Sequence, residues 1–337
     1  MKNLTKMRAL QNGSLGKVGR KMKKHILLID PLEKLVIKKD STLMFALTLQ
    51  KRGIETYLIF EEDFFVSNGD APKLKVHSFE GSFEDDNCYL KDFKLTESLD
   101  YQIDKNTLMH MRLDPPFDGR YLRFLWMLRY YKSLGVEVLN DPDGVLLFNE
   151  KLYAYEQESS LKTYVGSSKE GFLGFAQEIM AEGHRELILK PLDLYQGIGV
   201  QKISLDDDYA AIFEDKVKQY QGPVVAQPFA KVVEQGEVRS FYFKGKELGS
   251  ILKVPKKGEY LANIAQGASY SRYDLNENQR RECEKICNEL AGYGVHWIAF
   301  DILGDSISEV NITCPGLVVE VSSAYKRNLC EDIIDLL

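Results

Sequence analysis

Short apolar runs alternating with amphipathic stretches set the layout of this chain. Residues 25–30, His25-Ile26-Leu27-Leu28-Ile29-Asp30, read as a buried strand. Residues 41–52 carry apolar positions at helical spacing and stop at Gly53, and residues 56–60 form a second apolar run. Strand, helix, strand in that order predicts the opening of a parallel α/β layer. A polar, aromatic-dotted stretch follows from residue 61 to 104. Strand pattern then returns over 107–112, a helix is predicted over 118–134 before Gly135, and 136–139 closes the layer. Asp141-Pro142-Asp143-Gly144 has turn chemistry and marks the expected boundary.

The middle of the chain alternates short strands and helices. Residues 186–191 are a strand ending in Lys190-Pro191, and a loop with Gly197 and Gly199 leads into a strand over 200–204. Glycines let backbone N–H groups come close to phosphates, and Lys190 would add charge, although an ordinary hairpin reads the same way. Asn149-Glu150-Lys151 opens a helix and offers a second phosphate lysine, while 224–229 is an apolar run whose end could hold an adenine between domains. Arg239 and Lys253 fall on later strands, where charges commonly sit on a wet face.

Near the end, Asp301 closes one apolar run, and Glu309 and Asn311 stand two apart in the next, across a turn at Gly304-Asp305. An antiparallel hairpin would gather the three side chains on one exposed face, where their oxygens suit a hard cation such as Mg²⁺. A solvated amphipathic hairpin fits equally if the segment is taken alone. Arg112 ends a strand just before Leu113-Asp114-Pro115-Pro116-Phe117-Asp118, and its fork suits a carboxylate substrate or a structural pair with Asp114 or Asp118.

Composition narrows the classes. The 337 residues, 44% hydrophobic, exceed one compact domain and predict two or three. The formal charge of −6 hides a basic head, since residues 1–24 hold eight Lys or Arg and no acid, leaving 36 basic against 50 acidic residues elsewhere. That head reads as a disordered leader, and the acidic body argues against nucleic acid as a partner. No run is long and apolar enough for a membrane span, and five cysteines show no disulfide framework, so a cytoplasmic protein is expected. Cys283 and Cys287 complete a helical stripe with Ile286 and Leu290, which predicts core packing. Cys314 has no neighbouring His and reads as a loop thiol.

The ordered set is more specific than its members: Lys151, Lys190 with its Gly loop, the 224–229 run, Arg239, Lys253, then Asp301, Glu309 and Asn311. With Asp30-Pro31, Ile37-Lys38-Lys39-Asp40-Ser41, Met111-Arg112-Leu113-Asp114-Pro115-Pro116-Phe117-Asp118, Asn149-Glu150-Lys151-Leu152 and Ile188-Leu189-Lys190-Pro191-Leu192-Asp193, the chain resembles the ATP-grasp ligases and, among them, the bacterial glutathione synthetases. The resemblance runs from about His25 to the C-terminus. It implies an α/β fold with an N-terminal parallel α/β domain over 25–143 and two ATP-grasp subdomains, 144–227 and 228–337, that sandwich ATP.

By that resemblance Lys151, Lys190, Gly197, Gly199, Gln227, Phe229 and Glu237 contact ATP, and Asp301, Glu309 and Asn311 hold Mg²⁺ or Mn²⁺. Arg239 and Lys253 are the catalytic cations facing the transferred phosphate, and Arg112 and Asn263 face the peptide substrate. The implied partners are ATP, γ-glutamylcysteine and glycine, with no nucleic acid or membrane, in a homo-oligomer that in the family is usually a tetramer. Four positions depart from the family pattern. Leu194, Tyr195 and Gln196 stand in a loop normally richer in glycine, Leu261-Ala262-Asn263-Ile264 replaces an Arg-Gly-Asn-Leu run of the family's mobile lid, Lys253 replaces an Arg, and Leu113 replaces a Lys. These changes keep two alternatives open: a ligase for a different acid and amine, and a nucleotide-binding protein without catalysis.

Overall fold

The computed structural model describes residues 23–69, 72–85 and 88–337. The basic head to residue 22 lies outside them. The first sheet contains β1 (Lys24–Ile29), β2 (Thr56–Ile59), β3 (Lys73–Phe83), β4 (Leu90–Gln102), β5 (Thr107–Arg112) and β6 (Glu137–Leu139) in the order β4-β3-β2-β1-β5-β6. The run β2-β1-β5-β6 is parallel, as the alternating pattern predicts. Helices α1 (Ser41–Lys51) and α2 (Gly119–Ser133) connect its strands, each capped at its N-terminus by an aspartate, Asp40 and Asp118.

Two local features differ from the pattern. The polar stretch after residue 61 forms the long antiparallel pair β3–β4. Strand β4 is the outer edge and exposes most of its residues, so no apolar alternation marks it. Asp141 is not in a turn: its carboxylate caps α3 (Pro142–Leu147), with Pro142 in the first helical turn.

The short helix α4 (Leu152–Tyr155) precedes the second sheet. That sheet, ordered β7-β10-β8-β9, comprises β7 (Tyr164–Gly166), β8 (Glu186–Pro191), β9 (Gln201–Ser204) and β10 (Val224–Pro228) and is antiparallel throughout. It is backed by α5 (Lys169–Ala181) and α6 (Tyr209–Tyr220), whose Phe172 and Phe213 rings stack 4.1 Å apart in a core with Leu187, Leu189 and Ala226. The third sheet runs β13-β12-β11-β14-β15, from β11 (Glu237–Phe243), β12 (Lys246–Val254), β13 (Ser269–Tyr273), β14 (Trp297–Leu303) and β15 (Ser306–Asn311). Helix α7 (Glu277–Ala291) lays Cys283, Ile286, Cys287 and Leu290 into its core, the packing role expected of that stripe.

The first and third sheets share one hydrophobic core. Leu43, Phe45 and Leu49 of α1 pack with Phe241, Ile251 and Trp297, and with residues of α8 (Val318–Tyr325) and α9 (Leu329–Leu336). Asn140 stitches the same seam. Its amide donates to Trp297 and Ile312 carbonyls at 2.8 Å and accepts from the His296 and Trp297 N–H groups at 2.9 and 2.8 Å, leaving no polar atom unpaired. The strand ends that carry charge are therefore fixed relative to one another.

Candidate active site

A cleft of about 600 Å³ lies where residues of all three sheets meet. Its floor is the third sheet. Arg239 on β11 stands opposite Asp301 on β14, and Asp301 stands opposite Glu309 on β15. Just past that pair the register shifts, with Ser308 the extra residue between Glu309 and Ile307. Its hydroxyl donates to the Asp301 carbonyl at 3.1 Å. A bulge of this kind re-aims a strand locally. Asn311 donates to Asp301 Oδ2 at 3.2 Å, so the three residues expected to hold a metal are neighbours.

The face they form is not the exposed one that the sequence suggests. Asp301 is buried, held by two Arg239 hydrogen bonds of 2.9 and 2.7 Å and by Lys253 Nζ at 2.9 Å. Lys253 also reaches Glu237 at 2.7 Å, directly across the β11–β12 ladder. Lys253 is itself buried, so the wet-face expectation fails for it too. The physical reason is that the cleft walls cover this face, and opposite charges satisfy one another there. Burial works to raise the Asp301 carboxyl, but Arg239 and Lys253 hold it down to about 2.

Two lysines line the cleft near one another. Lys151 Nζ bonds Glu309 at 2.9 Å and the Leu194 carbonyl at 2.7 Å, and Glu309 raises its pKa despite burial. Lys190 makes no hydrogen bond or ion pair among the described residues; it lies over the Tyr155 ring at 5.2 Å. Burial, aided by Lys151, lowers it to about 8.

The loop after β8 adopts left-handed backbone at Gln196, Gly197 and Gly199. A Cβ on Gly199 would meet Tyr220 Oη at 2.6 Å, which makes glycine obligatory there. At Gly197 the neighbour is Leu261, 3.4 Å from where a Cβ would lie. Asn263, expected at the peptide substrate, lines the cleft, donates to the Gln196 carbonyl at 2.8 Å and caps the turn at Ala265. Loop and lid are thus clasped by one apolar and one polar contact. Gln227 is buried and donates to Thr163 at 2.8 Å, while Phe229 lies beneath Lys202 at 4.5 Å and near Tyr260.

Arg112 lines the cleft. It pairs with neither Asp114 nor Asp118; its guanidinium donates to Thr42 Oγ1 at 3.0 Å and the Pro315 carbonyl at 3.1 Å, stacked 4.4 Å over Trp297. Lining the cleft, it has no carboxylate at ion-pair distance among the described residues, though its charge acts on nearby Asp40 and Asp114. Cys314 is a cleft residue whose thiol donates to the Arg112 carbonyl at 3.5 Å. The sequence reading missed Glu150, whose Oε1 accepts from Ile312 N, Thr313 N and Thr313 Oγ1 at 2.7–2.9 Å and pins the end of β15. A Glu opening a helix carries no signal for that role.

Oxygen donors on Asp301, Glu309 and Asn311 match a hard divalent cation, and the cluster contains no soft ligand that would favour another metal.

Comparison with known proteins bears on the family and the fold. The prokaryotic glutathione synthetase N-terminal domain matches residues 23–145, and the prokaryotic glutathione synthetase ATP-grasp domain matches 150–326. Among curated relatives, the glutathione synthetase of Shewanella oneidensis is 28% identical over 316 residues, covering 92% of this chain and 96% of that protein. That of Coxiella burnetii is 27% identical over 317 residues, covering 92% and 94%. Solved structures share the fold at lower identity. D-cycloserine synthetase DcsG has a TM-score of 0.63 at 15% identity, covering 93% of this chain and 99% of that one, and D-alanyl-alanine synthetase A from Vibrio cholerae has 0.55 at 16%, covering 93% and 97%. No helix among the described residues is long and apolar enough to cross a membrane. The fold is ATP-grasp, and the chain belongs to the prokaryotic glutathione synthetase family, making it an ATP-dependent ligase that forms a carbon–nitrogen bond.

Proposed function

We propose that this ligase joins γ-glutamylcysteine to glycine. A carboxylate oxygen of the cysteinyl residue attacks the γ-phosphorus of ATP, ADP leaves, and an acylphosphate remains. The glycine amine then attacks the acyl carbon, phosphate departs, and the amine loses a proton as glutathione forms. The observation that carries this reading is the composition of one cleft: Lys151, Lys190, Arg239 and Lys253 converge on it with Asp301, Glu309 and Asn311, and no nucleophile is needed. Phosphoryl transfer requires positioning and charge neutralisation rather than a covalent enzyme group.

Lys151 and Lys190 hold the nucleotide phosphates in this scheme, with Gly197 and Gly199 letting the loop backbone approach and Gln227, Phe229 and Glu237 lining the base and ribose end. Arg239 and Lys253 face the phosphoryl group in transit. Asp301, Glu309 and Asn311 would hold Mg²⁺, which when bound neutralises phosphate charge. Arg112 receives a substrate carboxylate. We further assign the protein to the cytoplasm as a homo-oligomer, on family likeness.

ADP release with ATP and Mg²⁺ tests the reading, comparing γ-glutamylcysteine plus glycine with each omitted. Dependence on both is expected. A second reading, a different amine acceptor, is favoured by Leu261 packing on Gly197, since a lid without a cation there offers less to a glycine carboxylate. Turnover with another amine and none with glycine would replace the first reading with the second.

A further inference from the structure

Lys190 differs from the other cleft lysines in what its head touches. Its ammonium lies 5.2 Å from the centre of the Tyr155 ring and makes no hydrogen bond or ion pair among the described residues. Glu309, Glu237 and Asp301 act on it through space, yet each is already at ion-pair distance from another cation: Glu309 from Lys151, Glu237 from Lys253, and Asp301 from Arg239 and Lys253. Lys151 repels it. The acids near Lys190 are thus engaged elsewhere, and an aromatic face stands against its head.

Tyr155 closes α4, and its N–H donates to the Lys151 carbonyl at 3.0 Å, so one short helix sets both the first lysine and the ring beside the second. The Tyr155 hydroxyl oxygen is buried and has no hydrogen-bond partner among the described residues. A buried hydroxyl without a partner opposes folding, so the bond-making end of this side chain does not account for its place. Its ring face does: the negative face of an aromatic ring attracts an ammonium within about 6 Å, more strongly where water is excluded. A lysine head on a flexible four-carbon stem has many positions open to it, and the ring gives this one a seat outside ion-pair reach of Glu309.

We propose that Tyr155 is a positioning residue for nucleotide binding, its ring seating the Lys190 ammonium in the cleft before the phosphates of ATP arrive. The inference rests on the reading of Lys190 as a phosphate contact. A cation ordered in advance loses less freedom when its anion binds, so the ring strengthens nucleotide binding without touching the nucleotide.

Calorimetric titration of the full chain with the ATP analogue AMPPNP and Mg²⁺ at neutral pH tests it. Tyr155→Phe keeps the ring and removes the hydroxyl, and phenylalanines carrying one, two or three ring fluorines at the same position keep the shape while draining charge from the face. Tyr155→Phe is expected to bind within about 2-fold of the wild type, and affinity to fall stepwise with fluorination, by about 10-fold in all. Lys190→Met is expected to weaken binding by itself and to abolish the fluorine trend when combined with the series. A flat series beside a weakened Lys190→Met overturns this inference and leaves the phosphate role of Lys190 standing. An equal fall with and without Lys190 also overturns it, since the ring would then act through packing alone. Unchanged binding by Lys190→Met overturns the phosphate role of Lys190 and this inference with it.

Discussion

Arg239 and Asp301 sit directly opposite on β11 and β14, joined by hydrogen bonds of 2.9 and 2.7 Å, and Lys253 adds a third at 2.9 Å. This group is both the floor of the cleft and part of the buried structure. Asp301→Asn would leave buried Arg239 without its carboxylate and Lys253 with Glu237 alone, so a loss of about 3–5 kcal/mol in stability is expected from denaturant unfolding, together with a loss of turnover.

Acid should expose the same relationship. The folded Asp301 carboxyl lies at about 2 against an ordinary 3.8. A depressed carboxylate contributes stability above its unfolded pKa and loses it as pH falls through the folded one. Stability contributed by this group is therefore expected to fade from about pH 4 down to about pH 2, and the Asp301→Asn variant should lack that component of the pH profile. Unfolding free energies measured through this range in both proteins provide the check.

Glu309 should behave differently. Its side chain is 24% exposed and bonded to Lys151. Glu309→Gln is expected to lower kcat by about 100-fold or more with less than about 1 kcal/mol lost in stability, because a group at the mouth of a metal site contributes more to charge neutralisation than to packing. Undiminished turnover would remove Glu309 from the proposed metal set.

Lys190 should report nucleotide binding through a proton. At about 8 it is half neutral in the free protein at that pH, and phosphates beside it would restore its charge. Binding of ATP near pH 8 and above is expected to take up a proton, with the signal absent in Lys190→Arg, which is protonated throughout. Titration in buffers of different ionisation enthalpy measures the uptake. An unchanged proton balance in the variant would mean that Lys190 does not meet the phosphates.

The clasp between loop and lid should keep water out. Asn263→Ala removes both the bond to Gln196 and the cap on Ala265. ADP release without the amine substrate is expected to rise several-fold relative to the ligation rate, since an acylphosphate exposed to water hydrolyses. Comparing ADP with ligated product in the two proteins decides it.

Much of the fold was legible because local pattern suffices for it. The β1-α1-β2 opening, the helix with Cys283 and Cys287, and the hairpin carrying Asp301, Glu309 and Asn311 each show a periodicity that one buried face imposes. The β3–β4 pair was not legible, since an edge strand exposed on most positions leaves no such imprint. The chain order of the charged residues, through its likeness to a family, named the cleft's members. It could not tell that Asn263 clasps the Gly loop or that Glu150 pins β15, because those partners lie 67 and 162–163 residues away.

What the sequence determined alone is which residues carry charge, which runs are buried, and which family they follow. Tertiary structure decided the charge states and pairings. It turned a face expected to be wet into a buried network of Arg239, Lys253 and Asp301, left Arg112 without a carboxylate, and left Glu320 with an unpaired oxygen. The reason is physical: hydrophobic periodicity is a property of neighbours along the chain, whereas desolvation and Coulomb pairing depend on distances in space, set only when the three sheets close around one cleft.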